Sequence, residues 1–269
     1  MEYIIGTSSF ERRRLEIQAQ FFEPFTRRIL VSAGVADGME VLDIGAGSGD
    51  VALLAAKLVG SSGRVLGVDC ESRMVEHAQN RAQTANLDNV YFQHGSLAPT
   101  EILGTFDLVV GRFVAIFQPD LIGFIRRAAS LVKPGGTIVF IEPGWNITAT
   151  WTSPTIPAYD ALIASMVRTI QKLGTATGIG AGLVGSFIEA GLGEPAVSAE
   201  FLVGGPASGL SDYNIMNSEI IFNQARQAGL DVPGQAELET VAALIRQEAG
   251  AKHVQFNGPC IVGAWAKVG

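Results

Sequence analysis

From residue 39 onward, short unbroken apolar runs alternate with longer stretches whose apolar residues recur at helical spacing. The runs 41–44, 65–68, 90–93, 106–110 and 137–141 have strand length and are rich in Val, Ile, Leu and Phe. None shows the polar alternation of a strand with one wet face, so each predicts a strand covered on both sides. Between them, 50–58 stops before Gly60, and 72–85 carries Met74, Ala78 and Ala82 on one helical stripe. The segment 120–132 places Leu121, Phe124, Ile125, Ala128 and Leu131 on a similar stripe and ends at Lys133-Pro134-Gly135-Gly136. Strands alternating with helices of this length predict βαβ units, and so an α/β fold with a mostly parallel sheet between helices.

The flanks are patterned differently. Residues 9–33 predict one or two helices ahead of the sheet, and after Glu142 the strict alternation lapses. There 151–173 and 181–190 predict helices, 197–203 and 260–267 predict strands, and 210–251 reads as helix broken at Pro233-Gly234. No repeat and no linker rich in Pro, Ser or charge divides the chain. Length at about 150 residues per domain therefore resolves into one decorated domain rather than two.

Composition narrows the partners. With 48% hydrophobic and 17% charged residues the chain has ample material for a core and is not a disordered type. Nineteen basic against 26 acidic side chains give a net charge of -7, and Arg12-Arg13-Arg14 is the one dense basic run. A nucleic-acid partner is disfavoured on that ground. No apolar stretch approaches membrane-spanning length, and the first residues lack a cationic segment followed by an apolar one. The expectation is a cytoplasmic protein with no membrane partner. Cys70 and Cys260 stand far apart and fit no metal-ligand spacing, so no metal is expected.

Glycine is abundant, at 32 residues, and its sharpest cluster follows the first strand as Val41-Leu42-Asp43-Ile44-Gly45-Ala46-Gly47-Ser48-Gly49-Asp50. An apolar strand that enters three glycines and then a helix lets the backbone turn tightly and approach a ligand. Asp69 closes the next strand, where a carboxylate can accept both hydroxyls of a ribose, or cap the following helix. The dinucleotide pattern G-x-G-x-x-G fails here because Asp50 stands at its sixth position. A carboxylate at a helix N-terminus repels a pyrophosphate, so a ligand without phosphates suits the loop better.

The stretch VLDIGAGSGD, with Asp69 after it, resembles the cofactor site of class I S-adenosylmethionine-dependent methyltransferases. FDLVVGR at 106–112, LVKPGG at 131–136 and GAWAKV at 263–268 resemble later motifs of that family, in its order. The opening residues Tyr3, Gly6, Glu11, Arg14, Leu15 and Gln18 resemble the cap of a bacterial small-molecule branch. The resemblance implies a Rossmann-like doubly wound sheet, mostly parallel with an antiparallel last strand, plus an N-terminal helical cap and a C-terminal helical insertion. It implies a cap over 1–36, a cofactor core over 37–145 and a substrate side over 146–269, with the insertion at 204–257. The cofactor would be S-adenosylmethionine, leaving as S-adenosylhomocysteine.

For individual residues the resemblance implies that Gly45, Ala46 and Gly47 approach the methionine part, oriented by Asp43, while Asp69 holds the ribose. Cys70 and Met74 would lie against the adenine, flanked by Gly95, Ser96 and Leu97. Ser96 departs from the family's usual acidic residue. Gly111 and Arg112 would sit near the methionine carboxylate and sulfonium, with Gln18 or Arg14 closing over that end.

Methyl transfer is an in-line displacement that asks mainly for alignment and exclusion of water. If the acceptor must lose a proton, Glu142 at the end of the fifth strand is a candidate base, since burial raises a carboxyl pKa. It could instead orient Trp145 and Asn146. His253, ahead of the final strand, is a second candidate, and His77 and His94 read as surface or packing residues. Trp145, Trp151 and Tyr159 are either an aromatic lining for a flat acceptor or packing. The region 201–256, with Tyr213, Met216, Ile220 and Phe222, is either a substrate lid or a helical cover. The acceptor is expected to be a small apolar or aromatic metabolite. A cyclisation, rearrangement or decarboxylation with the same cofactor is the alternative, and the oligomeric state stays open, a homodimer included.

Overall fold

The computed structural model describes residues 9–97, 104–147, 151–175 and 177–269. One long helix, α1 (Ser9–Ser32), precedes the sheet and carries Pro24 inside it. Then β1 (Glu40–Ile44), α2 (Asp50–Val59), β2 (Arg64–Asp69), α3 (Ser72–Thr84) and β3 (Val90–His94) alternate as the apolar pattern requires. They are followed by β4 (Phe106–Arg112), α4 (Leu121–Ala129) and β5 (Val132–Gly144). The remainder is β6 (Thr152–Ser153), α5 (Pro157–Lys172), α6 (Ile179–Glu189), β7 (Ala196–Gly204), α7 (Leu210–Gln227), α8 (Gln235–Ala251) and β8 (Gln255–Lys267).

The strands run in the order β3-β2-β1-β4-β5-β8, with β7 on the outer side of β8 and the two-residue β6 against its start. The pairs among β1 to β5 are all parallel, and β8 is antiparallel to β5, β6 and β7. This is the doubly wound, Rossmann-like sheet with an antiparallel last strand. Two apolar cores lie on its faces. One joins α1, α2, α5, α7 and α8 through Phe22, Leu54, Ile163, Phe222 and Ile245. The other joins α4 and α6 through Phe124, Ile125, Leu183 and Phe187. Each such side chain removed from water contributes about 1.5–3 kcal/mol, which outweighs the weak intrinsic preference of any one segment.

Several boundaries differ from the pattern. The helix expected over 120–132 ends at Ala129, and Leu131 lies in the turn that follows, where its carbonyl accepts from the Phe106 amide at 2.8 Å. β5 accordingly starts at Val132, before the Pro-Gly-Gly stretch, and Gly135 at φ 78° donates to Val268. The helix expected from 151 starts only at Pro157, since Thr152 and Ser153 pair with Phe256 and Gln255. Proline at a first helical position costs no hydrogen bond, so Pro157 is a natural start.

Candidate active site

The carboxyl ends of β1, β2, β4 and β5 lie together along one edge of the sheet, where open α/β sheets hold their ligands. After Ile44 the chain turns through Gly45, Gly47 and Gly49 at φ 69°, 51° and 85°. The amides of Gly45 and Ala46 donate to the Val68 carbonyl at 2.8 and 3.0 Å. The Gly47 amide donates to Asp69 Oδ2 at 2.7 Å, and the Glu71 amide donates to Asp69 Oδ1 at 2.9 Å. One carboxylate thus ties the glycine loop to the turn after β2. Asp69 is buried, and burial pushes its pKa up while the two amides pull it back. The N-cap of α3 is Glu71, whose side chain takes the capping task offered above to Asp69.

A Cβ on Gly47 would meet nothing within 4 Å, whereas one on Gly49 would lie 2.8 Å from the Phe92 ring. The loop is therefore closed toward α3 and β3 and open above Gly47. Asp43 lies below, fully buried, and among the described residues neither of its oxygens has a hydrogen-bond partner. Burial pushes its carboxyl up to about 8, against the pull of the Arg112 guanidinium and a weak electrostatic effect of the Ala52 amide.

Strand alternation sends Gly111 and Arg112 to opposite faces of β4. Arg112 points under α1 and α2: Nη1 donates to Thr26 Oγ1 at 3.1 Å, and Nη2 lies 3.6 Å from Asp50 Oδ2. Arg81 holds the other Asp50 oxygen at 2.6 Å. Arg112 thereby joins an ionic chain that seats the start of α2. A small cavity between α1 and α2, lined by Glu23, Asp50, Lys57, Arg81 and Arg112, lies beside it. Gly111 keeps its place at the strand tip.

Glu142 is fully buried at the end of β5. Its Oε1 accepts the amides of Val114 and Ala115 at 3.0 and 2.8 Å, and Oε2 accepts that of Ile116 at 3.3 Å. It orients a loop, as one alternative allowed, but the loop is the turn after β4 and not Trp145 and Asn146. Burial pushes its carboxyl up to about 8, and the three amides pull the other way. With both oxygens occupied by main chain, Glu142 is poorly placed to take a proton from a substrate. The turn it holds begins at Phe113, whose φ of 57° is rare for a bulky residue, and whose amide donates to Ile141 at 2.9 Å.

The roof over this edge comes from α1 and α7. Gln18 Oε1 accepts from Arg14 Nη1 at 2.7 Å and from the Tyr213 hydroxyl at 3.1 Å, and Arg14 Nη1 also reaches Asn217 Oδ1 at 3.1 Å. Phe22 meets both Phe113 and Tyr213 edge-on. Met74 is buried, Cys70 and Ser96 are exposed, and Leu97 is half-buried beside the α4–α6 core. Gly95 donates to the Asp69 carbonyl at 2.9 Å, and His94 Nε2 lies 3.1 Å from the Cys70 carbonyl. His253 is exposed in the turn before β8, which begins at the same carboxyl edge. Trp145 and Trp151 are half-buried 6.2 Å apart, but Tyr159 is buried in the core, accepting from Asn214 Nδ2 and packed edge-on to Phe256. Tyr159 is therefore packing, not lining. Tyr3 and Gly6 lie outside the described residues.

Sequence reasoning missed Val114, Thr26 and the Glu142 clamp. Two glycines at the tips of neighbouring strands, Gly45 and Gly111, were the one available hint that a side chain must lie between them. Among the described residues no group of three or more His, Cys, Asp or Glu could hold a metal ion, and no helix is long and apolar enough to cross a membrane.

A family model described as "Methyltransferase domain" matches residues 36–177. The aklanonic acid methyltransferase DauC of Streptomyces sp. (strain C5) is 35% identical over 139 residues, covering 51% of this chain and 61% of the relative. Nocamycin O-methyltransferase of Saccharothrix syringae is 35% identical over 125 residues, covering 46% and 45%. The chain thus spans less than two thirds of either relative. In fold it is similar to the crystal structure of a putative methyltransferase from Bacillus halodurans, with a TM-score of 0.59 at 16% identity over 90% of this chain and 98% of that one.

Proposed function

Because the chain belongs to the methyltransferase-domain family, we propose that it transfers the methyl group of S-adenosylmethionine to a small metabolite and releases S-adenosylhomocysteine. The observation that carries this reading is the junction at which Asp69 takes the Gly47 amide beneath open space. A cationic nucleoside without phosphates fits it. The loop is flanked by the carboxyls of Asp50 and Asp69, and the nearby guanidiniums of Arg81 and Arg112 are engaged with Asp50. A pyrophosphate would meet repulsion there.

When bound, the sulfonium supplies an activated methyl group. The chain's own part is to hold and align. Asp69 has lone pairs left for ribose hydroxyls, and Met74, Leu97 and Cys70 border the place for the adenine, with Gly95 and Ser96 at its edge. Gly45, Ala46, Gly47 and Gly111 bring main chain close to the methionine part, and Asp43 below them, its oxygens unpaired among the described residues, offers an orienting hydrogen bond to the amine. Gln18 stays in the roof that excludes water, tied to Tyr213. Arg112 acts at one remove by seating α2. Glu142 is retained as a base candidate only for a substrate that displaces the amides, and His253 for one that reaches the exposed turn before β8.

Relatives named for aklanonic acid and nocamycin support a small organic acceptor, with Trp145 and Trp151 offering it aromatic surface. We read the chain as one domain, with cap, core and insertion as divided above, that works without nucleic acid or membrane. Calorimetry with S-adenosylhomocysteine is the direct test, and binding in the micromolar range is expected. Absence of binding at millimolar ligand would sink the reading. A product one methylene heavier, formed with equimolar S-adenosylhomocysteine, separates methylation from the non-methylating alternative.

A further inference from the structure

The site's most elaborate buried contact is one that no cofactor group needs. The carboxyl group of Glu142 takes three successive amides, Val114, Ala115 and Ile116, of the turn that leaves β4. Consecutive main-chain N–H groups converging on one carboxyl group fix both position and orientation of a turn, because any rotation breaks more than one bond. The turn carries Val114, and its methyls lie 2.7 Å from where a Cβ on Gly45 or on Gly111 would be. Val114 thus rests in the gap left by two glycines on the neighbouring strand tips, with Ile44 and Gly111 paired across β1 and β4. Gly45 opens the glycine loop, so the height of that loop is set from β5 through one side chain. The main chain of Glu142 is itself backed by α6, since a Cβ on Gly180 would lie 2.9 Å from the Glu142 carbonyl oxygen and only glycine lets the helix pack so close.

We propose that Glu142 is a positioning residue for the cofactor site, acting through Val114 on the glycine loop at Gly45. This rests on the methyltransferase reading for what the loop binds, but not for the clamp itself. In Glu142→Gln one oxygen still accepts, while the new amide group sets a donor against a donor. Val114→Ala leaves the clamp whole and removes its far end.

Each single variant should weaken S-adenosylhomocysteine binding by calorimetry on the order of tenfold. The double variant should be no weaker than the weaker single, because residues acting in series are not additive. Hydrogen exchange of the Val114 to Ile116 amides, read without ligand, should speed up in Glu142→Gln and stay slow in Val114→Ala. Additive losses in the double variant would overturn the proposal. So would unchanged affinity in a folded Glu142→Gln protein whose kcat alone falls, since that is the signature of a base. If Glu142→Gln fails to fold, unchanged affinity in Val114→Ala overturns it alone. A wild-type protein that binds no S-adenosylhomocysteine would end the methyltransferase reading, while the exchange arm still judges the clamp.

Discussion

Two buried carboxyls make the fold sensitive to pH. Burial pushes Asp43 and Glu142 up to about 8 from the ordinary values of 3.8 and 4.5, because it penalises their charged forms. Between those limits the folded state holds protons that the unfolded chain has released. The contribution of these two groups to stability is therefore fullest below the ordinary carboxyl range and falls as pH rises toward 8, at up to about 1.4 kcal/mol per pH unit for each retained proton. Thermal melts across this window should show a declining Tm. Asp43→Asn, neutral at every pH, should flatten the decline, and an unchanged slope would assign the proton elsewhere. Asp69 is the other residue on which much rests, as it accepts the Gly47 and Glu71 amides at once. Asp69→Ala should lower affinity for S-adenosylhomocysteine roughly a hundredfold by calorimetry, since hydrogen bonds to a charged group are each worth about 1.5–3 kcal/mol.

At the scale of elements, α6 shows how one glycine can be structural while its neighbour is replaceable. A Cβ on Gly180 would lie 2.9 Å from the Glu142 carbonyl and 3.0 Å from the Gly144 nitrogen, so the helix rests directly on strand backbone. Gly180→Ala should destabilise by about 1–3 kcal/mol in urea unfolding. Gly182, two residues beyond it on the same helix, faces nothing within 4 Å. Gly182→Ala should stabilise by about 0.5–1 kcal/mol, by removing flexibility from the unfolded chain. Glycine content in the sequence could not tell these two apart, because the difference is made by β5, more than thirty residues earlier. The strands and helices themselves were legible, since a run such as Val41-Leu42 can only be buried. The partners of Arg112 and Glu142 were not. A charged residue at a strand tip reads as a ligand group, and no pattern in the sequence signals that Asp50 in one case, and three amides in the other, lie within its reach.

For the molecule as a whole, order at the carboxyl edge is shared among α1, α7 and the strand tips. A ligand that binds only this assembled state stabilises it by mass action, about 2.7 kcal/mol at one hundred times Kd. A rise in Tm with S-adenosylhomocysteine is expected, and at the same ligand concentration it should shrink to a small fraction in Asp69→Ala. The Gln18–Tyr213 contact joins cap to insertion, so Tyr213→Phe should shrink the rise without lowering the Tm of the free protein by more than a few degrees.

The place of β8 in the sheet has a consequence for how the chain is made. Residues 255–267 fill the gap between β5 and β7, pairing Thr137 with Lys267 and Ala196 with Trp265. Until that segment leaves the ribosome, β5 has a bare edge on its outer side, and β7 has nothing to pair with. Bare strand edges invite pairing with other chains. Nascent chains halted before Gln255 should bind chaperones and aggregate on release, whereas chains that have cleared Lys267 should close the sheet in a single late step.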